Sequence, residues 1–403
     1  MTVPDLKATN LLKPIKVGKI TLQNRVVHLP TTRNRASSEH IPTDLNEQYY
    51  SDRSISPGTL LISEATLISE KQGLLPNVPG IWNKKQVNAW KKVTDGVHKK
   101  GSFITLQLGA LGRAGNPASL KADGFDLTAP SPLYSTEEAK KAAEDAGNPI
   151  REFTQEEIED LILNQYTNAA KNGIAAGFDI IEMHAASGYL LEQFINPSSN
   201  KRTDKYGGSI ENRSRFVLEL IDQLASVVDA ERLAIRLSPF STFQGMLAEN
   251  EEVHPIASFG YILSELQRRA NEGNKLAYVS LVDSRLNADW SESPVDNSFA
   301  QQIWKGIILR GGNYTYDDKN DWKAVASDVD ADDRTLIGFG RHFIANPDLV
   351  ERLKEGHKLN PYDRDTFYTN SNYGYNTYPT LVSKYEIDID EESKRFGKSL
   401  SLE

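Results

Sequence analysis

Eight short apolar runs alternate with segments of helical periodicity, and this alternation constrains the fold more than any other feature of the chain. The runs have the length and β-branched composition of strands. They are Arg25–Leu29, Thr59–Ser63, Ser102–Leu108, Phe178–Met183, Leu233–Leu237, Ala277–Val282, Gly306–Arg310 and Thr335–Phe339. Strands that alternate with helices predict a parallel sheet covered by helices, and eight strands close a (β/α)8 TIM barrel. The alternative is an open doubly wound sheet, which requires a glycine-rich turn after its first strand. The segment Pro30-Thr31-Thr32-Arg33 is not such a turn.

Several helices between these strands carry start signals. The segment Lys84–Lys99 has apolar residues at helical spacing, and Thr154–Asn172 opens with Thr154-x-x-Glu157, the pattern of a capping box. Ser209–Val228 and Ile256–Asn271 are predicted as further helices. Asn346–Gly356 is expected to start with Asn346 as cap and Pro347 in the first turn.

Three segments fall outside the repeating pattern. Pro14–Leu22 is predicted to form a hairpin that turns at Gly18-Lys19 and covers the barrel floor as a lid. The insertion Gly112–Arg151, after the third strand, is polar and helix-rich, and we expect it to cap the site. The segment Pro361–Glu403 has no barrel role that follows from its sequence.

Composition excludes several functional classes. The 403 residues carry a formal net charge of −9, which argues against a nucleic-acid or anionic-membrane partner. The chain has no cysteine, so disulfides and thiol catalysis are excluded. No pair of histidines stands at metal-ligand spacing, so no metal is expected. Residues 1–30 lack an apolar signal segment and no run is long enough to span a membrane, and we therefore predict a cytoplasmic protein.

Polar residues stand where several predicted strands end. Thr32, Gln107, His184 and Arg236 occupy the ends of the first, third, fourth and fifth strands. Polar side chains at the C-terminal face of a barrel are typical of an active site.

Glycine-containing loops follow the last two strands. Gly311-Gly312-Asn313 comes after the seventh strand and Gly340-Arg341 after the eighth. Barrel enzymes often hold a phosphate between these two loops. Backbone N–H groups at Gly312 and Asn313, with the Arg341 guanidinium, would suit a phosphate monoester. The sequence therefore predicts a phosphate-bearing cofactor or substrate.

The stretch from residue 178 to residue 213 carries a family resemblance. His184 follows the fourth strand, Tyr189 comes five residues later, and a polar, turn-rich segment follows. The stretch resembles the signature of the old yellow enzyme family, the FMN-dependent ene-reductases. The matching runs are Gly188-Tyr189-Leu190-Leu191, Gln193-Phe194, Asn196-Pro197 and Arg202-Thr203-Asp204 through Arg213. The resemblance covers residues 12–378 and implies one FMN-binding barrel domain, residues 1–403, with residues 379–403 as a C-terminal tail.

The resemblance also implies cofactor contacts. FMN is the implied cofactor and NADPH the reductant. Pro30 and Thr32 would lie near the flavin ring, and Ala65 would take a position beside it. Gln107 and Arg236 would bond its pyrimidine edge. The residues implied to hold the ribityl phosphate are Gly312, Asn313, Gly340 and Arg341.

The implied reaction reduces activated alkenes. Hydride passes from NADPH to FMN N5 and then to the β-carbon of an α,β-unsaturated carbonyl or nitro compound. Tyr189 is the implied proton donor, because a phenol of pKa about 10 stays protonated at neutral pH. His184 and Ser187 would bind the substrate oxygen, and Tyr375 would line the substrate side. Phenols are further expected ligands, and a monomer or homodimer is expected.

Two positions depart from the family pattern at the predicted site. The family usually has His or Asn where this chain has Ser187, and a sizeable side chain where it has Gly109. Both changes enlarge the pocket, and the shorter Ser187 polarises the substrate oxygen less. We therefore expect bulkier substrates. A third departure is Asp283-Ser284-Arg285, where the family often shows Glu-Pro-Arg.

Three other functions remain open from sequence. They are another flavin barrel of the dihydroorotate dehydrogenase type, a flavoprotein that binds phenols or steroids with weak turnover, and a sugar-phosphate isomerase or aldolase without flavin. Ser187 beside His184 does not indicate a hydrolase, because no Gly-x-Ser-x-Gly elbow surrounds it.

Overall fold

The computed structural model describes residues 5–283, 297–383 and 387–400. Within these residues eight parallel strands close into a barrel. They are β1 (Val26–His28), β2 (Leu60–Ile62), β3 (Phe103–Gly109), β4 (Ile180–Ala185), β5 (Leu233–Leu237), β6 (Tyr278–Val282), β7 (Ile308–Gly311) and β8 (Thr335–Phe339). Each strand pairs with its neighbours in order, and β1 closes the circle by pairing with both β2 and β8. The predicted (β/α)8 barrel is confirmed and the open sheet is excluded.

Helices follow the strands and form the outer layer. They are α1 (Asp44–Asp52), α2 (Lys84–Lys99), α3 (Gln155–Asp160), α4 (Thr167–Ala175), α5 (Leu190–Ile195), α6 (Ile210–Val228), α7 (Pro255–Asn271), α8 (Ser298–Ile303), α9 (Lys323–Asp330), α10 (Arg341–Ala345) and α11 (Leu349–Glu355). A π-helical turn, Leu161–Tyr166, joins α3 to α4. The predicted capping box is present, since the Thr154 side chain accepts from the Glu157 N–H and Glu157 accepts from the Thr154 N–H. No helix in the described ranges is long and apolar enough to cross a membrane.

The helix predicted at Asn346–Gly356 starts three residues later than expected. Asn346 ends α10 and its side-chain oxygen accepts from the Asn360 N–H at 2.7 Å, so this oxygen does not cap the next helix. Asp348 is the N-cap of α11 instead. The prediction that Asn346 and Pro347 begin the helix is wrong, because α10 intervenes between β8 and this segment. The predicted end is confirmed, with Gly356 in a left-handed conformation at φ +70°.

A two-stranded hairpin, Ile15–Val17 with Ile20–Leu22, covers the N-terminal end of the barrel as predicted. Val17 and Leu22 are fully buried against residues of the barrel interior. Gly18 has φ +51°, and a Cβ there would lie 2.0 Å from the carbonyl oxygen of Glu231, just before β5. This close approach explains the glycine at the turn.

The insertion after β3 forms a small unit beside the barrel. Its helices are Pro117–Ala122 and Glu137–Asp145, and its strands Thr128–Ala129 and Arg151–Glu152 pair in parallel. A separate apolar core holds it together, formed by Leu120, Leu127, Ala129, Ala143 and Ile150.

Candidate active site

A cavity of about 980 Å³ lies at the C-terminal ends of the strands. Ligand sites usually span roughly 300–1,000 Å³, so this cavity has room for a large ligand. The predicted site residues that line it are Pro30, Thr32, Ala65, Gln107, His184, Ser187, Tyr189, Arg236, Gly312, Gly340 and Arg341. Seven of the eight barrel strands or their following loops thus contribute these residues to the cavity, as the strand-end pattern predicted. No residue of the insertion lines the cavity. The insertion contacts the cavity rim instead, where Arg113 donates to the carbonyls of Gln244 and Gly245.

His184 and Tyr189 lie side by side on this wall. Their ring centres are 4.9 Å apart and their planes are inclined by 59°. Burial, assisted by the positive charge of Arg236, lowers the pKa of His184 to about 3. The imidazole is therefore neutral at physiological pH and can donate a single N–H. Burial raises the pKa of Tyr189, which keeps its phenol protonated.

Ser187 occupies a strained turn between these two residues. Its φ of +58° lies in the left-handed region, which is unfavourable for a residue with a Cβ. The Ser187 N–H donates to Ser238 Oγ at 2.7 Å, and Ser238 Oγ donates to Glu192 at 2.8 Å. The N–H of Gly188 donates to the other oxygen of Glu192. Burial raises the pKa of Glu192 to about 8. The Glu192 carboxyl thus fixes the turn that presents Ser187 and Tyr189 to the cavity.

Gln107 and Arg236 face the cavity from β3 and β5, on either side of β4. Gln107 Nε2 donates to Glu182 Oε1 at 2.7 Å, and Arg236 lies in register with His184. Arg236 Nε is buried and has no hydrogen-bond partner within the described residues. A buried cation with an unused donor fits a ligand that carries negative charge.

The opposite end of the cavity is shaped by backbone. Gly312 has φ +123°, and a Cβ there would lie 3.1 Å from the carbonyl oxygen of Asp283. Arg341 begins α10, and its guanidinium lies 5.6 Å from the ring centre of Tyr362. Asn313 begins a 3-10 helix, but its side chain lies outside the described part of the chain, as do Ser284 and Arg285. Glycine backbone and a guanidinium in one wall suit a phosphate, so the residues present fit the predicted FMN.

Gly109 and Tyr375 are placed differently from the other predicted residues. Gly109 lines a small side cavity next to the main one, together with His184 and Tyr189. A Cβ at Gly109 would meet that of Ala65 at an ordinary 3.6 Å. Tyr375 does not line the cavity, and that prediction is wrong. Its ring is fully buried, stacks on Tyr49 at 4.3 Å between centres, and its hydroxyl accepts a hydrogen bond from Asn46.

Sequence reasoning missed the buried groups behind the cavity wall. Arg33 and Arg35 follow β1 and donate to main-chain carbonyls of residues 366–374, the segment that carries the cavity residues Phe367 and Tyr368. Glu182 was read as part of an apolar strand, although it stands two residues before His184 and therefore on the same face of β4. That spacing was the signal that could have revealed it.

Comparisons with known proteins agree with this geometry. Residues 10–360 match the family model described as the NADH:flavin oxidoreductase / NADH oxidase family. A probable NADPH dehydrogenase of Candida albicans is 51% identical, over 93% of this chain and 92% of that protein. Enoate reductase 1 of Kluyveromyces lactis is 43% identical, over 93% of this chain and 95% of that protein. The crystal structure of an old yellow enzyme from Pichia sp. AKU4542 superimposes with a TM-score of 0.92 at 51% identity, covering 98% of this chain and 99% of that one. The chain therefore belongs to the NADH:flavin oxidoreductase / NADH oxidase family and is an FMN-dependent oxidoreductase of the old yellow enzyme type.

Proposed function

We propose that this enzyme uses NADPH to reduce the C=C bond of α,β-unsaturated carbonyl or nitro compounds. The observation that carries the proposal is the neutral His184 beside the protonated Tyr189 on the wall of one cavity, with ring centres 4.9 Å apart. One group can hold a substrate oxygen while the other reaches a carbon of the same molecule. The names of the Candida and Kluyveromyces relatives, an NADPH dehydrogenase and an enoate reductase, support the reductant and the substrate class.

The cavity wall divides into a ring-binding and a phosphate-binding part. Bound FMN supplies the hydride chemistry, between NADPH and the β-carbon of the alkene. Pro30, Thr32 and Ala65 flank the ring in this proposal. Gln107 and Arg236 hold its pyrimidine edge, where the fixed cation stabilises negative charge. The residues that hold the phosphate are Gly312, Asn313, Gly340 and Arg341.

Tyr189 is the acid of the proposed reaction. His184 cannot supply the proton readily, because its imidazole is already neutral and its remaining N–H is needed as a hydrogen-bond donor. Tyr189 keeps its proton because burial raises its pKa, and it stands next to the oxygen-binding group. Positioned acids contribute about 10²–10⁴-fold to rate.

Ser187 and Gly109 shape the substrate preference that we propose. The Ser187 hydroxyl is shorter than the side chains usual at this position in the family, so it polarises a small substrate oxygen weakly. Gly109 opens the side cavity beside His184 and Tyr189, whose other walls are largely apolar. We therefore propose that bulky enones are reduced better than small ones.

An anaerobic absorbance titration tests both half-reactions. NADPH should bleach the yellow protein and an enone should restore its colour. In Tyr189→Phe, bleaching should proceed at the normal rate while recolouring slows by about 10²–10⁴-fold. Tyr368→Phe is the control, since Tyr368 also lines the cavity but is exposed. Normal recolouring in Tyr189→Phe would remove Tyr189 from the mechanism.

Ser187→Asn tests the substrate preference. Asparagine tolerates the left-handed backbone and adds an amide donor. Small enones should gain up to about a hundredfold in rate, the range associated with one oxyanion donor, and bulky enones should lose. Ser241→Asn, at another cavity-lining serine, is the matched control. Unchanged rates for both substrate sizes would contradict the proposed role of Ser187.

A second function is favoured by Ser187 itself. A weakened oxygen-binding site could leave a flavoprotein that binds phenols or steroids and turns over alkenes slowly. Bleaching by NADPH without recolouring by any enone, together with tight phenol binding, would support it. The expected monomer or homodimer remains a prediction, which light scattering can test. The cytoplasmic location also remains a prediction, which imaging of the tagged protein can test.

A further inference from the structure

Glu182 is a carboxyl group inside the barrel for which the proposed reaction has no use. It is fully buried on β4, and the cavity lining does not include it. Such a group costs free energy unless neighbours compensate for its charge. Its polar neighbours are Gln107 and Arg236, two residues of the proposed cofactor site, and the buried Tyr278 of β6.

Gln107 is the first of these neighbours. Gln107 and Glu182 are paired positions of β3 and β4, and the Gln107 amide donates to Glu182 Oε1 at 2.7 Å. A carboxylate can only accept, so this bond fixes the orientation of the Gln107 amide and uses one of its two N–H groups. The amide oxygen of Gln107 is then the acceptor that remains for the cavity.

Arg236 is the second neighbour. Burial raises the pKa of Glu182, and the positive charge of Arg236 is the strongest influence that opposes this and favours the carboxylate. The influence is mutual, since Glu182 likewise favours the charged form of Arg236. Arg236 projects into the cavity while Glu182 lies behind the wall. Negative charge behind the wall therefore weakens the positive potential that Arg236 creates in the cavity.

We propose that Glu182 is a positioning residue that offsets the charge of Arg236 and thereby lowers the reduction potential of bound FMN. This inference rests on the proposed function, in which Arg236 and Gln107 hold the pyrimidine edge. A cofactor that gains electrons gains negative charge there, and Glu182 disfavours that state. The lower potential makes hydride donation to an alkene more favourable.

The test is the reduction potential of the holoenzyme at pH 8, measured by anaerobic equilibration with a reference dye. Glu182→Gln removes the charge but keeps an oxygen that can accept from Gln107. We expect reduced FMN to be favoured over oxidised FMN by at least tenfold more than in the wild type, which is about 30 mV more positive for a two-electron couple. Glu182→Asp keeps the charge and should change this ratio by less than threefold.

Asp348→Asn is the control for the loss of a buried carboxylate. Asp348 is buried and pairs with Arg352 in α11, away from the cavity lining. This variant should leave the potential unchanged, whatever stability it loses. A merely structural role for Glu182 would make Glu182→Asp and Glu182→Gln equivalent, or would leave both potentials at the wild-type value. Either result would overturn the inference.

A variant that purifies without FMN still gives an answer. Its apoprotein is titrated with oxidised and with reduced FMN under nitrogen, and the same tenfold change in the ratio of the two affinities is expected. An equal loss of both affinities would overturn the inference. A wild type that binds FMN but recolours with no enone would instead contradict the proposed function, and the two failures are therefore distinguishable.

Discussion

Ser238→Ala should show how much the rate of alkene reduction depends on the turn that holds Ser187 and Tyr189, because it leaves both of these residues in place. Ser238 Oγ accepts from the Ser187 N–H at 2.7 Å and donates to Glu192 at 2.8 Å, so alanine removes the partner of both. An unsatisfied buried donor or acceptor costs about 1–3 kcal/mol. The turn also holds Ser187 at φ +58°, a conformation that costs about 1–2 kcal/mol and persists only while its surroundings enforce it.

The expected result follows from those magnitudes. The free energy of unfolding should fall by about 1–3 kcal/mol. If misplacement of Ser187 and Tyr189 raises the activation free energy of alkene reduction by about 1.4 kcal/mol, that reaction slows about tenfold. Stopped-flow measurement of the two half-reactions is the assay, and NADPH oxidation should keep its rate. Ser241→Ala is the control, because Ser241 Oγ accepts from the N–H of the exposed Phe243 and does not contact the turn at Ser187 within the described residues. A normal rate of alkene reduction in Ser238→Ala would refute the view that this serine holds the turn.

Three further outcomes concern pH and the cavity wall. Burial lowers the pKa of His28 to about 3, so stability linked to it is present above the unfolded pKa of about 6.5 and is lost as pH falls towards 3. The stability gap between wild type and His28→Phe in urea unfolding should narrow by about 2 kcal/mol from pH 7 to pH 5. The hydrogen bond to Asp179 raises the pKa of His98, so its contribution is present below about pH 6.5 and is lost as pH rises through the folded pKa. His98→Gln should make the free energy of unfolding depend less on pH in the range where His98 loses its proton in the folded protein. Arg35 donates to carbonyls of Thr366, Phe367 and Ser371, and Arg35→Lys should cost about 3 kcal/mol and expose residues 361–377 to limited proteolysis.

The barrel and the cavity-lining residues at the strand ends were predictable because their signals are local. Each strand is a short β-branched run, and the residue that follows such a run reaches the C-terminal face wherever the strand lies in the circle. Glu182 was not predicted as part of the site, because one polar residue inside an apolar strand does not alter the pattern that identifies the strand. The orientation of Tyr375 could not be read either, since it depends on contacts with Asn46 and Tyr49, more than 300 positions away in the chain. Asn346 was mistaken for a cap because a cap motif does not reveal that a short helix already ends there.

Two segments far apart in the chain, residues 33–35 and 361–377, meet beside the cavity, so the role of the C-terminal segment could not be read from its own sequence. The family model ends at residue 360, yet Arg364, Phe367 and Tyr368 line the cavity. Their backbone is held by Arg33 and Arg35, whose guanidinium groups are buried directly after β1. Residues 392–399 in turn contact the 371–373 segment and the start of α1. One wall of the cavity therefore depends on contacts between the segment after β1 and residues 361–377. The hydrogen bonds that join the barrel strands do not involve residues 361–377. We therefore expect a change that releases this segment to weaken ligand binding more than it destabilises the barrel.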